Sequence, residues 1–337
     1  MSKAIQLDGG EGGGQMLRTA LSLAMITGQP FRMTRIRGKR QRPGLMRQHL
    51  TCVNAACVIS DGIADGAEIG STELVFRAGK LRGGDHDFAI GTAGSTGLLF
   101  QTLLPALLMA EAPSTLRLSG GTHNPMAPPF EFLDRVFLPA IRRMGVETSI
   151  RLIESGFAPA GGGVIECDIT PTGGFKPIKW MRCEGPASIR ARVITRNLGT
   201  QIPQRILDAA RETLTCEEAL IENRNSGPGA GVCCLIEAER DGWIEMTSAF
   251  GEHGVSAERV GHRAGKAMKD FLGTETPVGR QLADQLLLPL SLAGAGAFAT
   301  MSPDAHVPTN IVVIEKFLPV KIRIEDGARG TKIVRVS

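Results

Sequence analysis

One spacing limits this chain more than any other. Leu17-Arg18-Thr19-Ala20-Leu21 leaves a glycine-rich turn, and Phe100-Gln101-Thr102-Leu103-Leu104 repeats the pattern 83 residues later. Pro30 and Pro113, each twelve residues downstream of its anchor, keep the same offset. A third copy starts at Gln285-Leu286-Leu287-Leu288-Pro289, which lies 184 residues after Gln101-Thr102-Leu103-Leu104-Pro105. The excess of 101 residues predicts an insertion between copies two and three. A repeated unit cannot cover its own apolar sheet face alone, so the copies must share helices.

Each complete copy reads β-α-β-α-β-β. Copy one predicts strands over Ala4–Leu7, Phe31–Ile36, Ala67–Ile69 and Glu73–Arg77, with helices over 14–27 and 44–60. Copy two predicts strands over Phe88–Ile90, Thr115–Ser119, Glu147–Ile153 and Gly163–Ile169, with helices over 95–110 and 129–144. Pro43 and Pro128-Pro129 stand where a helix start tolerates proline. The insertion, placed at 182–275, predicts a strand over Ile189–Thr195, a helix over Pro203–Thr213, a hairpin turning at Asp241-Gly242 and a helix over Ser256–Leu272. The expected fold is α/β (α+β): a large repeat domain from 1–181 and 276–337, carrying a small α/β domain.

A hydrophobic fraction of 42% and a charged fraction of 21% fit an ordinary globular protein. With 4% aromatics and no tyrosine, the core must be aliphatic and stacking surfaces few. The net charge of +4 is too weak to argue nucleic-acid binding by itself. Arg37, Lys39, Arg40, Arg42 and Arg47 form a denser cluster, although a solvated basic loop accounts for it equally well. Seven scattered cysteines without a C-x-x-C argue against a zinc site or a disulfide framework and fit a reducing cytoplasm. No charged-then-apolar leader opens the sequence, and the apolar run Leu98–Ala110 is too short to span a bilayer.

Two segments carry candidate chemistry. Glu11-Gly12-Gly13-Gly14-Gln15-Met16-Leu17-Arg18 places a carboxylate, flexible backbone and an arginine at a helix mouth, which suits an anion. Glu11 is a hard oxygen donor of the kind that holds Mg²⁺ beside phosphates; a plain tight turn is the alternative. No lysine follows the glycines, which excludes a P-loop. In Arg37–His49 the arginines can grip a polyanion terminus by bidentate hydrogen bonds. Near the other end, His306 is expected in a short loop before a buried strand over Ile311–Ile314, where an imidazole can act as nucleophile. Asp284 reads as an ordinary first-turn acid or as a nucleotide contact. The remaining histidines, His123 included, read as structural or surface groups.

The sequence resembles the RNA 3′-terminal phosphate cyclase family over essentially its whole length. The motifs are L-D-G-G-E-G-G-G-Q-M-L-R (7–18), R-P-G-L-M-R-Q-H-L (42–50), S-G-G-T-H-N-P-M-A-P-P (119–129), F-A-P-A-G-G-G (157–163), L-A-D-Q-L-L-L-P (282–289) and A-H-x-x-T-N (305–310). The resemblance implies three β-α-β-α-β-β units plus an inserted α/β domain. It also implies ATP-dependent conversion of an RNA 3′-phosphate to a 2′,3′-cyclic phosphate through a covalent histidine–AMP. By similarity His306 is the nucleophile and Glu11 the ligand of Mg²⁺ or Mn²⁺. Gln101, Pro128, Gln281, Asp284 and Gln285 would line the AMP site. Arg18, Arg37, Arg40, Gln48 and His49 would hold ATP phosphates or the RNA terminal phosphate. ATP and RNA with a 3′-phosphate end are the implied partners, with no membrane; the oligomeric state is left open. Two departures stand out: Gln281 occupies a position where the family can carry a stacking tyrosine, and His123 occupies one where a carboxylate is common. The rival expectations are a non-catalytic cyclase-like ribosome-assembly factor, against which His306 and Glu11 argue, and an enolpyruvyl transferase, which would lack the insertion. Lysine-based nucleotidyl transfer is disfavoured because no K-x-D-G occurs.

Overall fold

A computed structural model of the chain describes residues 3–304 and 306–337. The first unit runs β1 (Ile5–Asp8), α1 (Gly14–Thr27), β2 (Phe31–Thr34), α2 (Arg47–Ile59), β3 (Ile63–Asp65) and β4 (Leu74–Arg77). The second runs β5 (Gly84–Ala89), α3 (Thr96–Leu107), β6 (Ser114–Gly120), α4 (Phe130–Phe132), a π turn over Leu133–Phe137, α5 (Leu138–Arg143), β7 (Glu147–Glu154) and β8 (Gly163–Thr170). β9 (Lys179–Trp180) then opens a third unit. The insertion follows, with β10 (Ser188–Arg196), α6 (Gln201–Thr213), β11 (Glu218–Asn223), β12 (Gly231–Arg240), β13 (Trp243–Phe250) and α7 (Ala257–Leu272). The third unit resumes at α8 (Arg280–Leu292), β14 (Gly296–Thr300), α9 (His306–Phe317), β15 (Ile322–Asp326) and β16 (Lys332–Val336).

The three repeat sheets share one topology. Their orders are β1-β2-β4-β3, β5-β6-β8-β7 and β9-β14-β16-β15. In each, the first two strands pair parallel through a crossover helix and the last two add antiparallel. The split of the third unit is therefore physical: β9 pairs with β14 across the whole insertion, in register Ala297–Lys179 and Phe298–Trp180.

Helix α1 is buried nearly all round: Leu17, Ala20, Leu21, Leu23 and Ala24 pack into the core, and its one polar stripe, Gln15, Arg18, Thr19 and Ser22 at helical spacing, is covered by neighbouring helices instead of facing open solvent. It packs against α2, α3 and α9. Gly28 ends it in the left-handed conformation (φ +68°), returning its N–H to Ala24 O. The insertion sheet, ordered β11-β10-β12-β13, buries one face under α6 and α7 through Ala191, Val193, Cys234 and Ile236. Its other face contributes Ile194, Cys233, Leu235, Met246 and Phe250 to the core of the repeats.

Several sequence expectations need correcting. The third strand of unit one lies at Ile63–Asp65, not Ala67–Ile69; Gly66 and Gly70, at φ +81° and +82°, turn the chain before β4. Pro43 precedes α2 by four residues instead of starting it. β11 was not expected: its side chains are mostly exposed or half-buried, so the sequence lacks strand alternation there. The largest correction concerns His306, which begins α9 and is not in a loop before a strand. The β-branched run Ile311–Ile314 looks strand-like, but burial falls on Val307, Asn310, Val313, Ile314 and Phe317, a helical spacing. All seven cysteines are free thiols, and among the described residues no helix is long and apolar enough to cross a membrane.

Candidate active site

Three pseudo-equivalent helices converge on one cavity. Arg18 of α1, Gln101 of α3 and Gln285 of α8 line a space of about 320 Å³, together with Pro128, Gln281, Asp284, Asp304 and His306. That size falls within the usual range for small-molecule sites. Leu104, Pro105, Phe137 and Leu288 supply apolar walls, while Gln15, Thr19 and Asn310 add polar ones. Gln285 Oε1 is buried without a hydrogen-bond partner among the described residues, an arrangement that a ligand donor would complete.

His306 stands on the first turn of α9, its side chain partly exposed. Its Nδ1 lies 3.2 Å from Asp304 Oδ2. The hydrogen bond to Asp304 raises its pKa above the ordinary value, against burial; the charges of Asp304 and Asp284 add to the rise and Arg18 opposes it. Asp284 is itself pushed up, first by burial and then by the charge of Asp304, with His306, Asn310 and Arg18 pulling it down.

The helix mouth of α1 forms a second arm of the site. Gly13 is its N-cap and supplies no capping side chain, so the first-turn N–H groups are free of side-chain acceptors. A Cβ on Gly14 would stand 2.3 Å from His49 Nε2 and 2.9 Å from an Arg18 guanidinium nitrogen, and one on Gly13 would stand 2.9 Å from Arg40 Nη2. Glycine is thus required because Arg18, Arg40 and His49 crowd the same backbone. His49 Nδ1 accepts the Met46 N–H at 3.2 Å, which leaves Nε2 as the protonated nitrogen facing Gly14. Burial, then the charges of Arg18 and Arg37, lower its pKa to about 3, so the ring is a neutral donor.

The other site residues expected from the sequence are placed differently. Arg37 donates to Arg42 O and Gly44 O, both at 2.8 Å, and shapes its own loop. Gln48 Oε1 accepts the Ser95 N–H at the start of α3. Glu11 is exposed and paired with Lys39. None of these, nor Arg40 or His49, lies on the wall of the main cavity. Arg40, Arg42 and Arg47 have no ion-pair partner among the described residues. His123 does not face the cavity: it is buried, stacked on Phe157 at 4.7 Å and bonded to Glu131 at 3.0 Å. Gln281 is exposed at the rim between the main cavity and a smaller one under α7.

The family model for RNA 3′-terminal phosphate cyclase matches residues 9–324. The chain belongs to that family of enzymes. An RNA 3′-terminal phosphate cyclase of Ectopseudomonas mendocina (strain ymp) is 47% identical over 323 residues, covering 94% of this chain and 94% of that one. Another, of Ralstonia nicotianae (strain ATCC BAA-1114 / GMI1000), is 45% identical over 335 residues, covering 98% and 96%. Among solved structures, the enolpyruvyl transferase NikO from Streptomyces tendae aligns at a TM-score of 0.38 and 14% identity, covering 99% of this chain and 48% of that one. That likeness is too slight to carry an argument.

For this member of the cyclase family, sequence reasoning missed Asp304 and the polar links around it. Asn310 Nδ2 donates to Asp284 Oδ1, and Thr19 Oγ1 donates to Asn310 Oδ1 at 3.0 Å. Gln15 Nε2 donates to Thr309 Oγ1 at 3.0 Å. An aspartate whose side chain accepts the N–H two residues on is a local turn signal that the sequence carries, but the strand-like run Ile311–Ile314 masks it as the approach to a helix. As for metal, no cluster of three or more His, Cys, Asp or Glu fit to hold an ion occurs among the described residues. A lone Glu11 suits Mg²⁺ only in company with substrate phosphates, and only if Lys39 yields its place.

Proposed function

We propose that this chain uses ATP to convert an RNA 3′-terminal phosphate to a 2′,3′-cyclic phosphate through a covalent His306–AMP. The observation that carries this reading is the meeting in one cavity of His306, Arg18 and the Gln285 carbonyl, which has no partner among the described residues. The apolar walls suit a purine, with Gln101, Pro128, Gln281, Asp284 and Gln285 around it. Arg18 and the N-terminus of α1, with Arg40 and His49, suit the phosphates. In the first step the His306 Nε2 lone pair attacks the α-phosphorus, and the bond to pyrophosphate breaks. In the second, a 3′-phosphate oxygen attacks the same phosphorus, the P–N bond breaks and His306 is neutral again. In the third, the vicinal 2′-hydroxyl oxygen attacks the RNA phosphorus, its proton is lost to solvent and AMP leaves. Little beyond positioning and charge neutralisation is asked of the protein. Glu11 is the residue proposed to hold Mg²⁺ or Mn²⁺, whose chemistry would be to neutralise phosphate charge. Arg37 and Gln48 serve this reading by shaping the loop and docking α2 against α3. The 182–275 segment is proposed as a small domain carried by a large one formed from 1–181 and 276–337.

The test is covalent labelling with α-labelled ATP and Mg²⁺. Acid-labile label on the native chain, absent from a folded His306→Ala, is expected. A native chain that takes no label would favour a binding role in ribosome assembly instead.

A further inference from the structure

Asp304 touches His306 twice. Its Oδ1 accepts the His306 backbone N–H at 2.7 Å, and its Oδ2 lies 3.2 Å from His306 Nδ1. An ionised carboxylate only accepts hydrogen bonds, so the proton of the neutral ring belongs on Nδ1 and Nε2 carries the lone pair. Asp304 also lines the main cavity, so the pair sits inside the site. We propose that Asp304 is the positioning residue of His306: it fixes the Nδ1–H tautomer, presents Nε2 to the α-phosphorus and stabilises the positive ring formed when Nε2 bonds to phosphorus. This rests on the adenylylation reading above.

The balance is simple. Nε2 gives its lone pair to phosphorus, the P–O bond to pyrophosphate breaks, and the ring keeps its Nδ1 proton while gaining a positive charge. That charge faces the Asp304 carboxylate. When AMP passes to the RNA phosphate, the charge disappears and no proton has moved. The other charged groups facing the ring are Asp284 from α8, which supports the cation, and Arg18 from α1, which opposes it. Asp304 is held below the usual carboxylate range: burial alone would raise it, but the hydrogen bonds from the His306 ring and backbone outweigh that. It therefore stays ionised across the working range. The same arrangement sets a limit, because a raised His306 pKa means that Nε2 is protonated, and unable to attack, at mildly acidic pH.

The experiment uses Asp304→Asn in the full chain, since asparagine keeps one oxygen to accept the His306 backbone N–H while removing the charge and replacing the second acceptor with an NH2 donor. Two readouts are taken. Nitrogen-15 NMR of histidine-labelled protein without nucleotide should show the Nδ1–H tautomer in the native chain, and a lower His306 pKa with mixed tautomers in Asp304→Asn. Single-turnover labelling with α-labelled ATP across pH should show the acid limb moving to lower pH and the plateau rate falling roughly tenfold or more. Asp304→Glu should recover part of that rate. An unchanged His306 titration, or an unmoved acid limb with an undiminished plateau, would overturn the assignment. A native chain that takes no label would defeat the adenylylation reading and the catalytic role with it, while the tautomer measurement alone decides the pairing.

Discussion

Asn310 Nδ2 donates a 2.9 Å hydrogen bond to Asp284 Oδ1, tying α9 to α8 at the edge of the cavity. The same side chain accepts from Thr19 of α1, so one amide joins helices from units one and three. Removing it in Asn310→Ala leaves the Asp284 carboxylate and the Thr19 hydroxyl short of a partner. The expected cost is about 1–3 kcal/mol, read as a lower urea midpoint at unchanged slope. Labelling with ATP should weaken in parallel, because Asp284 and His306 lose their common frame. A midpoint equal to the native value would show the bridge to be inert.

Gly14→Ala should damage the phosphate arm. Its Cβ would meet His49 Nε2 at 2.3 Å, forcing the ring or the helix mouth to shift at a cost of roughly 1–3 kcal/mol. A thermal melt of the single variant and of Gly14→Ala with His49→Ala separates the two effects. The double variant should recover stability but not ATP-dependent labelling. Recovery of labelling would remove His49 from the proposed phosphate site.

Glu245 makes stability depend on pH. Its carboxylate is buried and accepts the Gly279 N–H at 2.7 Å, at the start of α8, and the Met246 N–H at 3.0 Å. Burial raises its pKa to about 7, against those two bonds. The folded chain thus binds the proton more tightly than the unfolded one, where the carboxyl keeps its ordinary value of about 4.5. Its contribution is fully present below about 4.5 and is lost as pH rises through about 7. Denaturant midpoints of the native chain should carry this decline between pH 5 and 8. Glu245→Gln should be less stable at pH 5 by about 1 kcal/mol for one lost acceptor, and should lack that decline. Equal slopes in both chains would rule the titration out.

Arg196 of β10 is fully buried and paired with Glu154 of β7, with a further bond to Arg224 O at 2.9 Å. It joins the insertion sheet to unit two. Arg196→Ala strands part of the Glu154 charge and empties a packed site, so a loss of about 3–5 kcal/mol is expected. Calorimetry should show a large drop in Tm. A shift of only a degree or two would mean that the insertion is held by its apolar face alone.

The cavity was legible where repeats align. Arg18, Gln101 and Gln285 superpose by offset alone, and the structure brings all three into the lining of one cavity. Glu11, Arg37 and Gln48 were less readable, since a side chain at a helix mouth can face a ligand or its own loop, and only the folded partners decide. His306 lines the cavity but begins a helix, where the sequence reads as a loop before a strand. Its β-branched neighbours Ile311, Val312 and Val313 favour a strand locally, and packing against α1 and α8 overrides that preference.

The sequence by itself determined the repeat spacing and the presence of residue types whose chemistry suits phosphate, because these reside in spacing and composition. Only the tertiary structure decided which of them meet. Asp304 finds the His306 ring, Gln285 Oε1 has no hydrogen-bond partner among the described residues, and Glu11 turns to Lys39. The reason is that a hydrogen bond is decided within a few tenths of an ångström, a precision set by how helices from distant repeats pack and invisible in the order of the residues.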